Sequence, residues 1–150
     1  MSLSREVEFS MGCDGDEDEQ EKSFLTNVRF VEYWFRERHP SKKNLPLKEK
    51  IVALGSELPA AAIARFTDKL EDLAMRIVVT RNFLTHLDPR LESRAARGDQ
   101  LRIINLKLGT LLWYHVGLVD FGPDAVTDSI KRPPRAKHIR EDLATSDVLR

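Results

Sequence analysis

Between Phe24 and Val119 the large apolar residues recur at intervals of three and four and never alternate for long. That spacing lines one face of a helix and cannot line one face of a strand. Phe24, Val28, Val31 and Phe35 form one such stripe and predict a first helix from near Glu21 to Arg38, stopped by Pro40. A polar turn leads to a short helix from about Pro46 to Leu54, with the proline suitably placed in its first turn. Ile63, Phe66, Leu70, Leu73, Ile77 and Leu84 continue a single stripe, which predicts the longest helix, Ala60 to about Leu87, ended by Pro89. Asp99 is placed to cap a fourth helix running to Val119, very apolar through Ile103, Ile104, Leu108, Leu111 and Leu112, and Gly122-Pro123 ends it. With no internal repeat and short connections, the expected fold is all-α, an antiparallel bundle of four to five helices.

The bundle is expected to occupy residues 21–130 of 150, a length suited to one domain with one core. Apolar residues make up 41% and charged residues 32%, which excludes a membrane protein and a wholly disordered chain. No apolar run approaches the roughly 20 residues of a membrane span. Cys13 is the single cysteine, so no disulfide framework or cysteine zinc site is possible, and a reducing, cytoplasmic setting is expected. The formal net charge of zero conceals an asymmetry: residues 1–22 carry eight acids against two bases, and residues 131–150 carry six bases against three acids. Residues 1–20 read as a mobile acidic leader. Residues 131–150 read as a basic, proline-broken, loosely ordered tail, most simply a solvated one, although its charge alone could also attract a polyanion. The spacing of Asp14, Asp16 and Asp18 does not make a calcium loop, because Glu19 stands where glycine is needed and Leu25 where the bidentate glutamate is needed.

The segment Ile77-Val-Val-Thr-Arg-Asn-Phe-Leu-Thr-His-Leu-Asp-Pro89 concentrates the chemistry. Arg81 lies about 40° around a helix from Ile77 and so borders the buried stripe. Arginine offers a planar, permanently charged fork to a phosphate. His86, near the end of its helix, can take or give a proton near neutral pH, and Asn82, four residues before it, can fix its tautomer. Together these groups suit phosphodiester chemistry. Arg81 and His86 are five residues apart, about 140° around an ideal helix, so one chain does not point both into one pocket unless the helix ends early or a second protomer completes the site. The same residues have a plainer reading: Arg81 paired with Asp72 or Glu32, and His86 a favourable charge at a helix C-terminus. His39, His115 and His138 have no metal-ligand spacing with any acid pair, so no metal and no other cofactor is expected. His115, Trp34 and Trp113 read as core side chains.

Arg81-Asn82-Phe83-Leu84-Thr85-His86 is similar to the Arg-Asn-x-x-x-His signature of the HEPN superfamily of helical nucleases and nucleotide-binding proteins. The flanking Ile77-Val-Val-Thr80 and Leu87-Asp-Pro89, the polar loop with Gly98, and the helix ending Leu111-Leu-Trp-Tyr-His-Val-Gly-Leu118 resemble its ApeA-like branch. Phe30-Val-Glu-Tyr-Trp-Phe-Arg-Glu-Arg-His-Pro40 resembles that branch's first helix, and the similarity runs from about Phe24 to Leu118. The resemblance implies a metal-independent endoribonuclease, an anti-phage or toxin-type effector, acting as a homodimer whose two copies line one cleft. It implies His86 as the acid/base group, Arg81 as the phosphate holder, Asn82 as the polar group beside it, and Glu32 as either a structural or a catalytic acid. ApeA-like proteins usually carry a further N-terminal domain, so the sensor is expected elsewhere, on a separate domain or partner protein. The alternative is a non-catalytic dimerisation, regulatory or nucleotide-binding module of the same fold.

Overall fold

The computed structural model describes residues 17–131, and every element among them is helical. Helix α1, Glu17–Arg38, starts earlier than expected because Glu17, Asp18 and Glu19 fill its first turn, where acids meet the positive end of the helix dipole. The end of the acidic leader is therefore helix, while residues 1–16 and 132–150 lie outside the described residues. Helix α2 is Leu47–Ser56, with Pro46 at its N-cap.

The stripe expected to form one helix from Ala60 to Leu87 is broken in two: α3, Ala60–Ile63, and α4, Leu70–His86. The break has local and tertiary causes. Thr67 Oγ1 accepts from the backbone N–H of Lys69 at 3.2 Å, a side-chain turn that competes with helical pairing. Phe66 is buried against Tyr114, with ring centroids 6.5 Å apart, and the bend is what lets it reach the core. Leu70 then starts α4 seated on Gly55, where an added Cβ would meet its methyl carbon at 2.6 Å.

Helix α5, Asp99–Phe121, is the longest. Gly98, at φ 56°, occupies its N-cap in place of Asp99, and no side chain caps it. Gly122-Pro123 ends α5 as expected but also opens a further helix, α6, Pro123–Lys131. A proline that cannot continue one helix is well suited to the first turn of the next. Only Val126 of α6 is buried, too short an apolar signal to reveal the helix in the sequence.

Buried hydrogen bonds set the register of the long helices. Asn27 Nδ2 donates to Asn105 Oδ1 at 2.7 Å, and Asn105 Nδ2 donates to Ser23 Oγ at 3.0 Å. Trp34 Nε1 donates to His115 Nδ1 at 2.8 Å. Positions 23, 27 and 34 thus meet 105 and 115 in order, so α1 and α5 lie side by side in the same direction. Helix α4 runs against them: Arg76 Nη2 donates to Gln100 Oε1 at 2.5 Å, and Thr80 Oγ1 accepts from the N–H of Ala96 at 2.9 Å.

His115 is wholly buried, and His39 and Glu57 join it through a carboxylate bridge: His115 Nε2 to Glu57 Oε1, and His39 Nε2 to Glu57 Oε2, both 3.0 Å. Because Trp34 donates to its Nδ1, the neutral His115 ring carries its proton on Nε2 and donates to Glu57. Burial depresses the His115 pKa, and the Glu57 carboxylate partly offsets that. Histidines that share no sequence motif are thus joined by packing. No helix among the described residues is long and apolar enough to cross a membrane.

Two outcomes follow from these contacts. Thr80→Val keeps the shape but strands the buried Ala96 N–H, so stability should fall by about 1–3 kcal/mol, read from the urea midpoint, with faster hydrogen exchange at Ala96. A histidine held neutral in the fold binds its proton only on unfolding, so stability should drop as pH falls below about 6.5 towards the lowered folded value. Melting curves between pH 7.5 and 5.5 check this, and His115→Gln should flatten the acid-side slope. An unchanged slope would place the protonation elsewhere.

Candidate functional site

The C-terminal half of α4 carries the chemistry-bearing residues, and two features hold it. Thr80 ties the helix to the loop that leads into α5, as described above, and Arg97 from that loop stands 5.8 Å over the Phe83 ring. Arg97 also reaches Glu92 at 3.3 Å and Glu17 at 3.9 Å, which places the first turn of α1 at the same end of the bundle. These exposed pairs add little stability but set the local charge. Glu21 has its pKa raised, first by partial burial and then by Glu17 and Asp18.

Helix α4 stays regular through His86, so Arg81 and His86 keep their separation of about 140°. The helix does not end early. It stops at Leu87, which adopts the left-handed conformation at φ 52°, and Pro89 follows. That conformation costs a side-chain-bearing residue about 1 kcal/mol, and Leu87 is 69% exposed, so packing there does little to offset it.

Arg81 is half-buried, and its Nε is enclosed without a hydrogen-bond partner. Neither Asp72 nor Glu32 pairs with it, so the plainer reading of Arg81 as half of a structural ion pair is not what the chain forms. Asn82 is half-buried and His86 exposed, and no hydrogen bond joins them; the tautomer of His86 is not set by Asn82 here. The nearest carboxylate in sequence, Asp88, is engaged by Arg90 through Nε at 3.1 Å and Nη2 at 2.9 Å. Those bonds hold the Asp88 carboxyl below its usual range.

Glu32 lies far from this end. The register of α1 on α5 puts position 32 near position 113, whereas Thr80 meets Ala96, a separation of roughly 25 Å along the bundle at 1.5 Å per residue. Within one chain the structure brings Arg81, Asn82 and His86 to one helix end and leaves Glu32 apart. His39 and His115 lie towards the opposite end with Glu57, a cluster no sequence spacing announces. Among the described residues no group of three or more His, Cys, Asp or Glu side chains is arranged to hold a metal ion. His138 and Cys13 lie outside the described residues.

What the α4 end offers is a cationic fork with an unpartnered, enclosed Nε and a solvent-facing imidazole five residues further on. That pair can bind an oxyanion and exchange a proton with it, provided both reach the same group.

No curated protein matches the chain, and no solved structure does. A family model described as Apea-like HEPN matches residues 9–118. HEPN domains are generally ribonucleases. The match takes in well over half of the sequence and includes α1 to α4 and nearly all of α5, with Arg81 to His86 inside it, and the chain therefore belongs to the Apea-like HEPN family.

Proposed function

We propose that this chain is a metal-independent endoribonuclease that cleaves RNA at a site shared by two copies, serving as an anti-phage or toxin-type effector in the cytoplasm. The observation that carries the reading is the Arg81 guanidinium, half-buried with an unpartnered Nε at the helix end that also bears His86. A permanent cation without a carboxylate partner among the described residues suits a cleaved phosphate, whose transition-state charge it would stabilise.

In the proposed step a ribose 2′-oxygen attacks the adjacent phosphorus as His86 takes the hydroxyl proton. The bond from phosphorus to the 5′-oxygen breaks, and a second histidine protonates that leaving oxygen. The products are a 2′,3′-cyclic phosphate and a 5′-hydroxyl. Among the described residues one histidine stands at this helix end, which is why the reading includes a second copy. Met75, Asn82 and His86 fall within about 40° of one another on the outer face of α4, and Met75, 40% exposed, adds apolar area to that face about 16 Å back along the helix from His86. Two arginines brought together repel each other, and a bound phosphate relieves that repulsion.

Cleavage of an unstructured RNA should persist in EDTA and leave cyclic phosphate ends. His86→Ala should lower the rate by about 10²–10⁴-fold, and Arg81→Ala by a comparable factor, with helix content unchanged. Light scattering should give a dimer of about 34 kDa, twice the 17.2 kDa of the chain. Activity lost in EDTA and restored by magnesium, or full activity from a monomer, would overturn the mechanism. A dimer that leaves RNA intact would make the chain a non-catalytic module of the family.

A further inference from the structure

Thr80, Phe83 and His86 form one row along α4 at intervals of three, each step about 60° round the helix and about 4.5 Å along it. Arg81 stands off that row, about 160° from Phe83. The row meets a different cation. Thr80 holds the N–H of Ala96 at 2.9 Å, and the next residue, Arg97, carries its guanidinium out over the Phe83 ring, 5.8 Å from the centroid. Phe83 is half-buried and the Arg97 side chain 53% exposed, so this cation stands at the surface on the flank of α4 that bears His86. It is already engaged. Glu92 Oε1 lies 3.3 Å from its Nη1, and Glu17 Oε1 lies 3.9 Å from its Nε. Glu21 feels the same guanidinium, yet its pKa stays raised, first by partial burial and then by Glu17 and Asp18. More carboxylate charge gathers at Arg97 than one guanidinium neutralises, and stability does not account for it, because exposed pairs contribute little.

We infer that Glu17 is an internal inhibitor of the His86 face: its carboxylate occupies the guanidinium that would otherwise steady the substrate strand, and cleavage is restrained until the pair opens. A carboxylate and a phosphate offer arginine the same kind of acceptor, so one can stand in for the other. Glu17 suits a removable stand-in better than Glu92 does. It is the first residue of α1, on a terminal turn of the kind that frays, and its contact is the longer of the two. Glu92 belongs to the same loop as Arg97, five residues before it, and stays close whatever α1 does. Arg97 is set back from His86 by Phe83, so the phosphate it would hold is a neighbour of the one that is cut. Arg97 therefore governs binding, and the charge of the transition state is left to Arg81. This restraint rests on the ribonuclease reading, whereas the Glu17–Arg97 pair itself does not.

The test compares Glu17→Gln with Asp18→Asn in the full chain. Both remove one negative charge from the same turn, but Asp18 pairs with no cation among the described residues. Cleavage of an unstructured RNA at low salt should show KM lowered about threefold by Glu17→Gln, with kcat within about twofold, and less gain from Asp18→Asn. The difference should fade as salt rises. Arg97→Gln should raise KM about tenfold and cancel the advantage of Glu17→Gln over Asp18→Asn, while Arg97→Lys, which keeps the charge, should recover part of the loss. Anisotropy with a labelled six-nucleotide RNA, on a His86→Ala background so that the strand stays intact, should repeat the ranking. There Arg97→Gln should make the slope of log affinity against log salt shallower by about 0.7. A pair that merely ties α1 to the loop gives the opposite sign: Glu17→Gln would lower melting temperature and cleavage together, and that result would overturn the inference. Equal effects of Glu17→Gln and Asp18→Asn, or a Glu17→Gln gain that survives Arg97→Gln, would overturn it too. Cleavage indifferent to both Glu17 and Arg97 would sink the inhibitor and leave the ribonuclease reading standing. Binding that Glu17→Gln tightens through Arg97, in a protein that never cuts RNA, would do the reverse.

Discussion

The pairing of α1 with α5 is the constraint on which the other helices depend. Apolar stripes alone would let two helices slide or reverse at little cost, because leucine packs against leucine in many registers. Asn27, Asn105 and Ser23 remove that freedom. Each is buried, and a shift of one turn would leave amide groups without partners inside the core. Trp34 and His115 impose the same register further along, and Glu57 extends it to α2 and to the turn that holds His39. With α1 and α5 parallel and locked, α4 has one remaining place, running against α5 with Thr80 at the loop backbone.

This arrangement separates two kinds of histidine by environment. His115 is enclosed, donates to a carboxylate and is kept neutral by burial, which suits a structural role. His86 is exposed at a helix end that also carries, about 140° round, an arginine whose Nε is enclosed but unengaged. Cost explains the contrast: a buried charge or donor is expensive unless paired, and His115 is both neutral and paired. Arg81 and Arg76 each keep an enclosed Nε with no partner among the described residues, at two places on one helix.

Much of this was legible in the sequence. The period of the apolar residues from Phe24 to Phe35 and from Leu101 to Leu112 announced all-helical structure, and Pro40, Pro89 and Gly122-Pro123 marked where helices stop. The Arg81 to His86 spacing and its flanks pointed to the Apea-like HEPN family, which the match over residues 9–118 bears out. The break at residues 64–69 was hidden, because Phe66 continues the helical stripe while its ring is satisfied only by leaving it. Helix α6 was hidden for the opposite reason, having a single buried residue.

What the sequence determined by itself was local: which segments prefer helix, where backbone chemistry ends them, and which reactive side chains share a turn. These depend on neighbours within four positions, so a linear reading reaches them. The tertiary structure alone decided which distant groups meet. It joined His39 and His115 through Glu57. It placed Glu32 far from Arg81, and it left both Arg76 and Arg81 with an enclosed Nε that nothing among the described residues accepts from. Such facts depend on register and direction between helices far apart in the chain. Those are set by the summed packing and hydrogen bonding of the whole core, which no single stretch of residues encodes.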